Sequence, residues 1–190
     1  MNRRHFLSRT GGLMLVSTAP ILMATENPPP SPSPPFIKNS IKTVSTGLNR
    51  RQWKTISSVQ VHLFPAGKNT PSAKDINAQA FLHAALADPD RADADRDFIK
   101  QGVLDLQEIC WKNHQKTFMQ LNDLEKEQSL RQLEKTRRGR TWLTNLLGYI
   151  FEALLTDPVY GGNPDEIGWK WLEHQAGFPR PTLATRYFLL

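Results

Sequence analysis

Histidine side chains are the first groups of this chain to consider for chemistry, because imidazole is a common metal ligand. His62, His83 and His114 fall on three separate predicted helices, and no two histidines stand four residues apart on one helix. A shared metal site would need these three helices to bring them together. Histidines on helix faces are the simpler interpretation, so the sequence predicts no metal site.

The single cysteine, Cys110, limits thiol chemistry. One cysteine cannot form an internal disulfide, a thiolate metal site, a haem-attachment motif or an iron–sulfur framework. Its neighbours in the helical pattern are Leu106 and Trp111. We therefore expect a buried and inert thiol.

Sequence motifs of cofactor-using enzymes are missing from the chain. It has no Gly-x-Gly-x-x-Gly after a predicted strand, which would be the fingerprint of a dinucleotide or flavin site. It also has no phosphate-binding Gly-Lys-Ser/Thr loop and no nucleophile elbow. We predict no catalytic and no cofactor-binding residue in this chain.

Residues 157–179 hold the densest group of turn-forming and aromatic residues. We expect Asp157 and Pro158 to end a long helix, and the glycines and Asn163 that follow to permit positive φ angles. The large rings form either a lock that folds the tail onto the core or a docking surface, since Tyr and Trp are favoured at interfaces. The sequence favours the lock and leaves both open. The candidate docking residues are Asp157, Pro158, Tyr160, Gly161, Gly162, Asn163, Trp169, Trp171, Gly177, Phe178 and Pro179.

The first 24 residues have the layout of a twin-arginine export signal. Arg3 and Arg4 are followed by Phe6 and Leu7, and no acidic residue precedes Glu26. We expect the twin-arginine translocase to read this signal and to export the chain to the periplasm.

A modestly apolar stretch, residues 13–24, completes the signal and ends in a small residue suited to cleavage. A membrane anchor is the alternative, but a helix of about 12 residues reaches only ~18 Å, against roughly 30 Å of hydrocarbon. An ordinary amphipathic first helix would leave the low acid content and the break at Pro20 unexplained.

The segment 25–44 is predicted to be a proline-rich linker. Residues 28–35 are all proline or serine, a composition that favours extended polyproline II and excludes helix. A spacer between the signal and a domain at 45–190 is the prediction.

The chain has a net charge of +6, and half of that comes from the signal. After Ala24, 21 Lys and Arg stand against 18 Asp and Glu. One dense basic cluster remains, at a predicted helix boundary. Nucleic-acid binding would need a longer basic stripe or interleaved aromatic residues, so we predict no nucleic-acid partner. A solvated face or a contact with an acidic partner fits better. The cluster is Lys135, Arg137, Arg138 and Arg140.

The domain is predicted to be all-α, a compact unit of about five helices. Apolar residues recur every three to four positions, and no stretch alternates with a period of two for long enough to predict a sheet. Ser72 with Asp75, and Asn122 with Glu125, resemble capping boxes. The widest apolar stripe, in residues 142–155, predicts that this segment is the central helix. The predicted helices are 49–63, 72–87, 93–114, 122–133 and 142–155.

On these residues the chain resembles the gluconate 2-dehydrogenase subunit 3 family. The resemblance rests on the run from Asp157 to Asn163, on Trp169, and on the Gly177-Phe178-Pro179 end. The twin-arginine leader and the Leu63-Phe64-Pro65 helix end support it. It covers about residues 45–181. One departure is the longer link between Trp171 and Gly177.

The resemblance implies an accessory role. In such complexes, a large subunit of the glucose–methanol–choline type holds FAD and oxidises a sugar or alcohol. A multihaem cytochrome c subunit often passes the electrons to the membrane. Through that subunit, the complex would be associated with the membrane. The small subunit is non-catalytic, carries the export signal, and assists maturation and export of the FAD subunit.

Two other functions remain open at this point. The chain could contribute directly to a shared oxidoreductase active site, with Asp157 or Glu166 approaching the partner's substrate channel. It could also be a free-standing periplasmic helical protein that binds a ligand through its aromatic residues.

Overall fold

The computed structural model describes residues 44–185 and shows six α-helices with no strand among them. The predicted all-α class is confirmed, and the expected number of about five helices rises by one short helix near the C-terminus. Single 3-10 turns lie at Phe118–Gln120, Pro158–Tyr160 and Pro164–Glu166. The helices are α1 Arg50–Leu63, α2 Ala78–Ala87, α3 Asp93–His114, α4 Asp123–Glu134, α5 Arg137–Leu155 and α6 Ile167–Leu172.

The predicted leader, with Arg3, Arg4, Phe6 and Leu7, lies outside the described residues, as does all of the predicted linker except Val44. Within residues 44–185, no helix is both long enough and apolar enough to cross a bilayer.

Asparagine caps fix the starts of α1 and α4. The Asn122 side chain accepts from the Glu125 amide and the Glu125 carboxylate accepts from the Asn122 amide, both at 2.9 Å. Asn49 and Gln52 make the same reciprocal pair at α1. Each box satisfies two amides that the first helical turn leaves unpaired. The box predicted at Asn122 is confirmed.

The predicted start of α2 is wrong by several residues. Ser72 and Asp75 do form reciprocal hydrogen bonds, at 2.8 and 3.3 Å. They close a turn rather than a helix, because Asn77 adopts a left-handed conformation with φ 57°. This turn places Ile76, fully buried, in the core before the helix begins at Ala78.

Helix α5 is the central element, in contact with α1, α2, α3, α4 and α6. Trp142, Leu146 and Ile150 on this helix are fully buried. The apolar stripe predicted for α5 is wider than the buried face at the C-terminal end of the helix, since Phe151 is 37 % and Leu155 52 % exposed.

Two apolar clusters make the core. The larger one joins α1, α2, α3, α4 and the first half of α5, and it includes Cys110. Burial raises the pKa of the Cys110 thiol, as expected for the inert role. The smaller one lies under the end of α5 and consists of Phe64, Ala73, Ile76, Ala78, Ile150, Ala153 and Leu154.

Helices α3 and α5 cross closely at Gly102. A Cβ on Gly102 would overlap the indole ring of Trp142. The same indole donates from Nε1 to the Ile99 carbonyl at 3.0 Å, which satisfies its polar atom in the core. The close approach therefore needs the glycine.

Candidate functional site

The bend after α5 is built by Asp157 and the residues that follow it. Asp157 accepts at Oδ1 from the Val159 amide at 3.0 Å, which caps the 3-10 turn Pro158–Tyr160. Gly161 then takes φ 92°, as the sequence predicts for this position. Gly162 serves a different purpose from the one predicted, because a Cβ there would lie 2.7 Å from the Ala153 carbonyl oxygen. The bend can thus fold tightly back against α5.

Asn163 joins three segments at the centre of this bend. It is fully buried with φ 49°. Its Nδ2 donates to the Thr156 carbonyl at 3.1 Å, and its Oδ1 accepts from the Gly168 amide at 2.7 Å. Its backbone N–H donates to the Ile76 carbonyl at 3.1 Å. The residue precedes the turn at Pro164, as predicted, but its side chain fixes the start of α6 rather than the turn.

Arg180 holds the C-terminal tail against the bend. Its Nε donates to Asp157 Oδ2 at 3.0 Å, its Nη2 lies 2.9 Å from the same oxygen in an ion pair, and its Nη1 donates to Glu166 at 2.6 Å. The guanidinium also lies 5.1 Å from the centre of the Trp169 ring, within cation–π distance. Burial disfavours its charge, but the hydrogen bonds to Glu166 and Asp157 outweigh this and raise the pKa of Arg180.

The four large rings of this region do not form one cluster. Trp169 is buried, and its Nε1 donates to the Leu155 carbonyl at 2.9 Å. Trp171 packs edge-on against Phe64, the residue that directly follows α1, with ring centres 6.0 Å apart. Phe178 is 88 % exposed. The expected lock therefore holds for the two tryptophans and is wrong for Phe178, which points to solvent.

The remaining candidate residues lie around these contacts. Pro158 and Tyr160 are half-buried in the 3-10 turn, and Gly177 and Pro179 are exposed on either side of Phe178. The bend and the tail thus form one surface, with an acidic pair held by one arginine and a single ring projecting from it.

Sequence reasoning missed Arg180, the residue that connects the tail to the bend. Its two ion pairs span 23 and 14 residues, so no local pattern reports them. The available signal was weaker: two acids at a bend, followed by an arginine just after the Gly-Phe-Pro end.

The three histidines stay on separate helices, as predicted, and have separate neighbours. His62 lies 2.9 Å from Glu127, and the His83 ring lies against Trp53. His114 lies 3.8 Å from Glu125. Among residues 44–185, no three His, Cys, Asp or Glu side chains are grouped so that they could hold a metal ion.

Comparison with known proteins places this fold in a family. No curated protein and no solved structure is significantly similar to the chain. The family described as gluconate 2-dehydrogenase subunit 3 matches residues 50–177, which is most of the described chain. The match begins at the first residue of α1 and ends at Gly177 in the tail. The chain belongs to the gluconate 2-dehydrogenase subunit 3 family.

Proposed function

We propose that this chain is the non-catalytic small subunit of an exported flavin-dependent sugar or alcohol dehydrogenase complex. It carries the twin-arginine signal and assists maturation and export of the FAD-containing catalytic subunit to the periplasm. The FAD belongs to that partner, and haem c belongs to a cytochrome c subunit where the complex has one. The observation that carries the proposal is membership of a family of dehydrogenase subunits.

The contacts of the bend support an accessory role over a shared active site. Asp157 and Glu166 are the acids that a shared site would use. Both are engaged by Arg180 within the chain, and Asp157 also caps a turn. A group so fully used in holding the tail is poorly placed to exchange protons with a partner's substrate.

The export role has a direct test in cells. We expect the change of Arg3 and Arg4 to lysine to leave the catalytic subunit in the cytoplasm, because a twin-arginine translocase reads the arginine pair. A matched control changes the pair Arg50 and Arg51, at the start of α1, to lysine. Arrival of the catalytic subunit in the periplasm in the leader variant would contradict the escort role.

The accessory role is tested by reconstitution. The catalytic subunit is purified with and without this chain, and its turnover, FAD content and fold are measured. We expect any loss of turnover without this chain to follow loss of FAD or of fold. Turnover that is lost while both remain intact would instead favour a direct contribution to the active site.

A further inference from the structure

A basic surface surrounds the start of α5, and no role described above uses it. Lys135 is the C-cap of α4, Thr136 is the N-cap of α5, and Arg137 is the first residue of α5. The Thr136 side chain accepts from the Gly139 amide at 2.9 Å, so the helix start is well formed. We define the basic junction as Lys135, Arg137 and Arg140, all three exposed.

The fourth cation of this segment, Arg138, is neutralised by its own partner. It donates to both carboxylate oxygens of Asp105 on α3, at 2.6 and 2.9 Å. Residues 44–185 give the three side chains of the basic junction no ion-pair partner. Three positive charges within six residues are therefore left to solvent.

The placement of Arg137 and Arg140 opposes the stability of α5, whereas Lys135 lies at the end of α4, where the helix dipole favours a cation. The N-terminus of a helix carries partial positive charge and favours acids. The first turn of α5 has no acid, whereas α3 has Asp93 and Asp95 in its first turn. An arrangement that weakens the helix indicates a use outside the folded chain.

Charge across the described residues is balanced in number. Residues 44–185 contain 18 Lys and Arg against 17 Asp and Glu. Five of these acids lie between 88 and 97, around the start of α3. Asp105, which pairs with Arg138, lies 12 residues further along α3, about 18 Å from its start. The acid-rich start of α3 is thus separated along that helix from the Arg138–Asp105 pair, while Glu134 precedes Lys135 directly in the chain.

A cleft of about 480 Å³ opens beside the basic junction, between α3 and the end of α4. Ile109 and Leu133 give it an apolar lining, Asp105, Glu108 and Lys112 line it from α3, and Thr136 and Arg138 line it from the segment of the junction. A protein surface can place a side chain into such a cleft while its acids meet the junction. A flat layer of lipid head groups cannot fill it in this way.

We infer that the basic junction and its cleft are a docking surface for an acidic surface of the dehydrogenase's catalytic subunit. This inference rests on the proposed function, which supplies that subunit as the partner. Charge complementarity at such a surface acts mainly on the association rate and makes it depend on salt.

The test reverses the three charges and measures association. The variant Lys135→Glu/Arg137→Glu/Arg140→Glu is compared with Arg50→Glu/Arg51→Glu/Lys54→Glu, which makes the same change at the exposed start of α1. Association with the purified catalytic subunit is followed at about 50 mM and about 300 mM salt. We expect the junction variant to associate about tenfold or more slowly at low salt, with a weaker salt dependence, and the α1 variant to match the wild type.

Thermal unfolding separates a docking role from a structural one. Acids at a helix N-terminus favour the helix, so we expect the double variant Arg137→Glu/Arg140→Glu, which keeps Lys135 at the end of α4, to melt at a higher temperature while it associates more slowly. A lower melting temperature with slow association would show that the charges support the fold, and would overturn the inference.

Three other outcomes also decide the matter. Equal association of both variants and the wild type overturns the inference alone. Binding of the wild type to phosphatidylglycerol vesicles that the junction variant loses, with association to the catalytic subunit unchanged, assigns the surface to a membrane instead. A wild-type chain that does not bind the catalytic subunit at all overturns the proposed function together with the inference.

Discussion

Arg180 donates a hydrogen bond from Nε to Asp157 Oδ2 at 3.0 Å, with Nη2 2.9 Å from the same oxygen, and so connects the C-terminal tail to the residue that caps the bend after α5. The side chain of Asp157 is only 12 % exposed, so this pair is better shielded than a typical surface ion pair. Four consequences of this and related contacts can be measured.

Removal of Arg180 should loosen the tail more than it weakens the core. Arg180→Ala loses charge-assisted hydrogen bonds to two acids, and we expect a cost of about 1 kcal/mol in the free energy of unfolding. The tail beyond Glu173 should become more sensitive to limited proteolysis. Arg131→Ala, which breaks comparable pairs to Glu127 and Glu134 on α4, is the matched control and should leave tail cleavage unchanged. Equal cleavage in both variants would contradict the role of Arg180.

Asn163 should be among the most sensitive polar positions of the fold. Asn163→Ala leaves the Gly168 amide and the Thr156 carbonyl without their partner, which we expect to cost about 2–3 kcal/mol in urea unfolding. Asn163→Gly relieves the left-handed backbone but loses the same side-chain bonds, so it should be less damaging than alanine. A glycine variant less stable than the alanine variant would contradict this account of the bend.

The rings at the C-terminus should separate into structural and exposed roles. Trp169→Phe loses the hydrogen bond to the Leu155 carbonyl and should cost about 1 kcal/mol in stability. Phe178→Ala removes a ring that is 88 % exposed and should change stability by no more than about 0.5 kcal/mol. If Phe178 belongs to a docking surface, its variant should instead weaken association with the catalytic subunit. A large loss of stability in Phe178→Ala would show a structural role.

Low pH should weaken the contact between α3 and α5, because it protonates Asp105. Burial opposes the charge of this carboxylate, but hydrogen bonds from Arg138 and Gln101 outweigh it and lower its pKa in the folded chain. Stability from Asp105 is therefore complete above its unfolded pKa, near 3.8, and is lost as pH falls through the lower folded value. Asp105→Asn should reduce the loss of stability below about pH 4, measured by denaturant unfolding across pH. Glu108→Gln, one turn nearer the end of α3, should not.

Local patterns in the sequence predicted much of the fold because the interactions behind them are local. The Asn122–Glu125 box spans four residues, and the apolar positions of α5 recur on one face. The start of α2 could not be predicted in this way. A Ser72–Asp75 box forms as expected, but the left-handed conformation of Asn77 makes it close a turn instead of opening the helix.

The candidate site was predictable in position but not in its connections. Asp157, Gly161 and Asn163 indicate a bend, because their residue types favour turn conformations of the backbone. Arg180 acts across long stretches of chain, and the partner of the Asn163 amide is Ile76, far earlier in the sequence. Contacts of this kind depend on the packed fold rather than on spacing.

The hydrogen bond from the Asn163 amide to the Ile76 carbonyl joins an early and a late part of the chain. During synthesis this contact can close only after α2 to α5 have been made. A chain cut short before Gly168 loses the Asn163 side-chain partner as well. A partner that recognises the closed bend would thereby distinguish a finished subunit from a truncated or half-folded one.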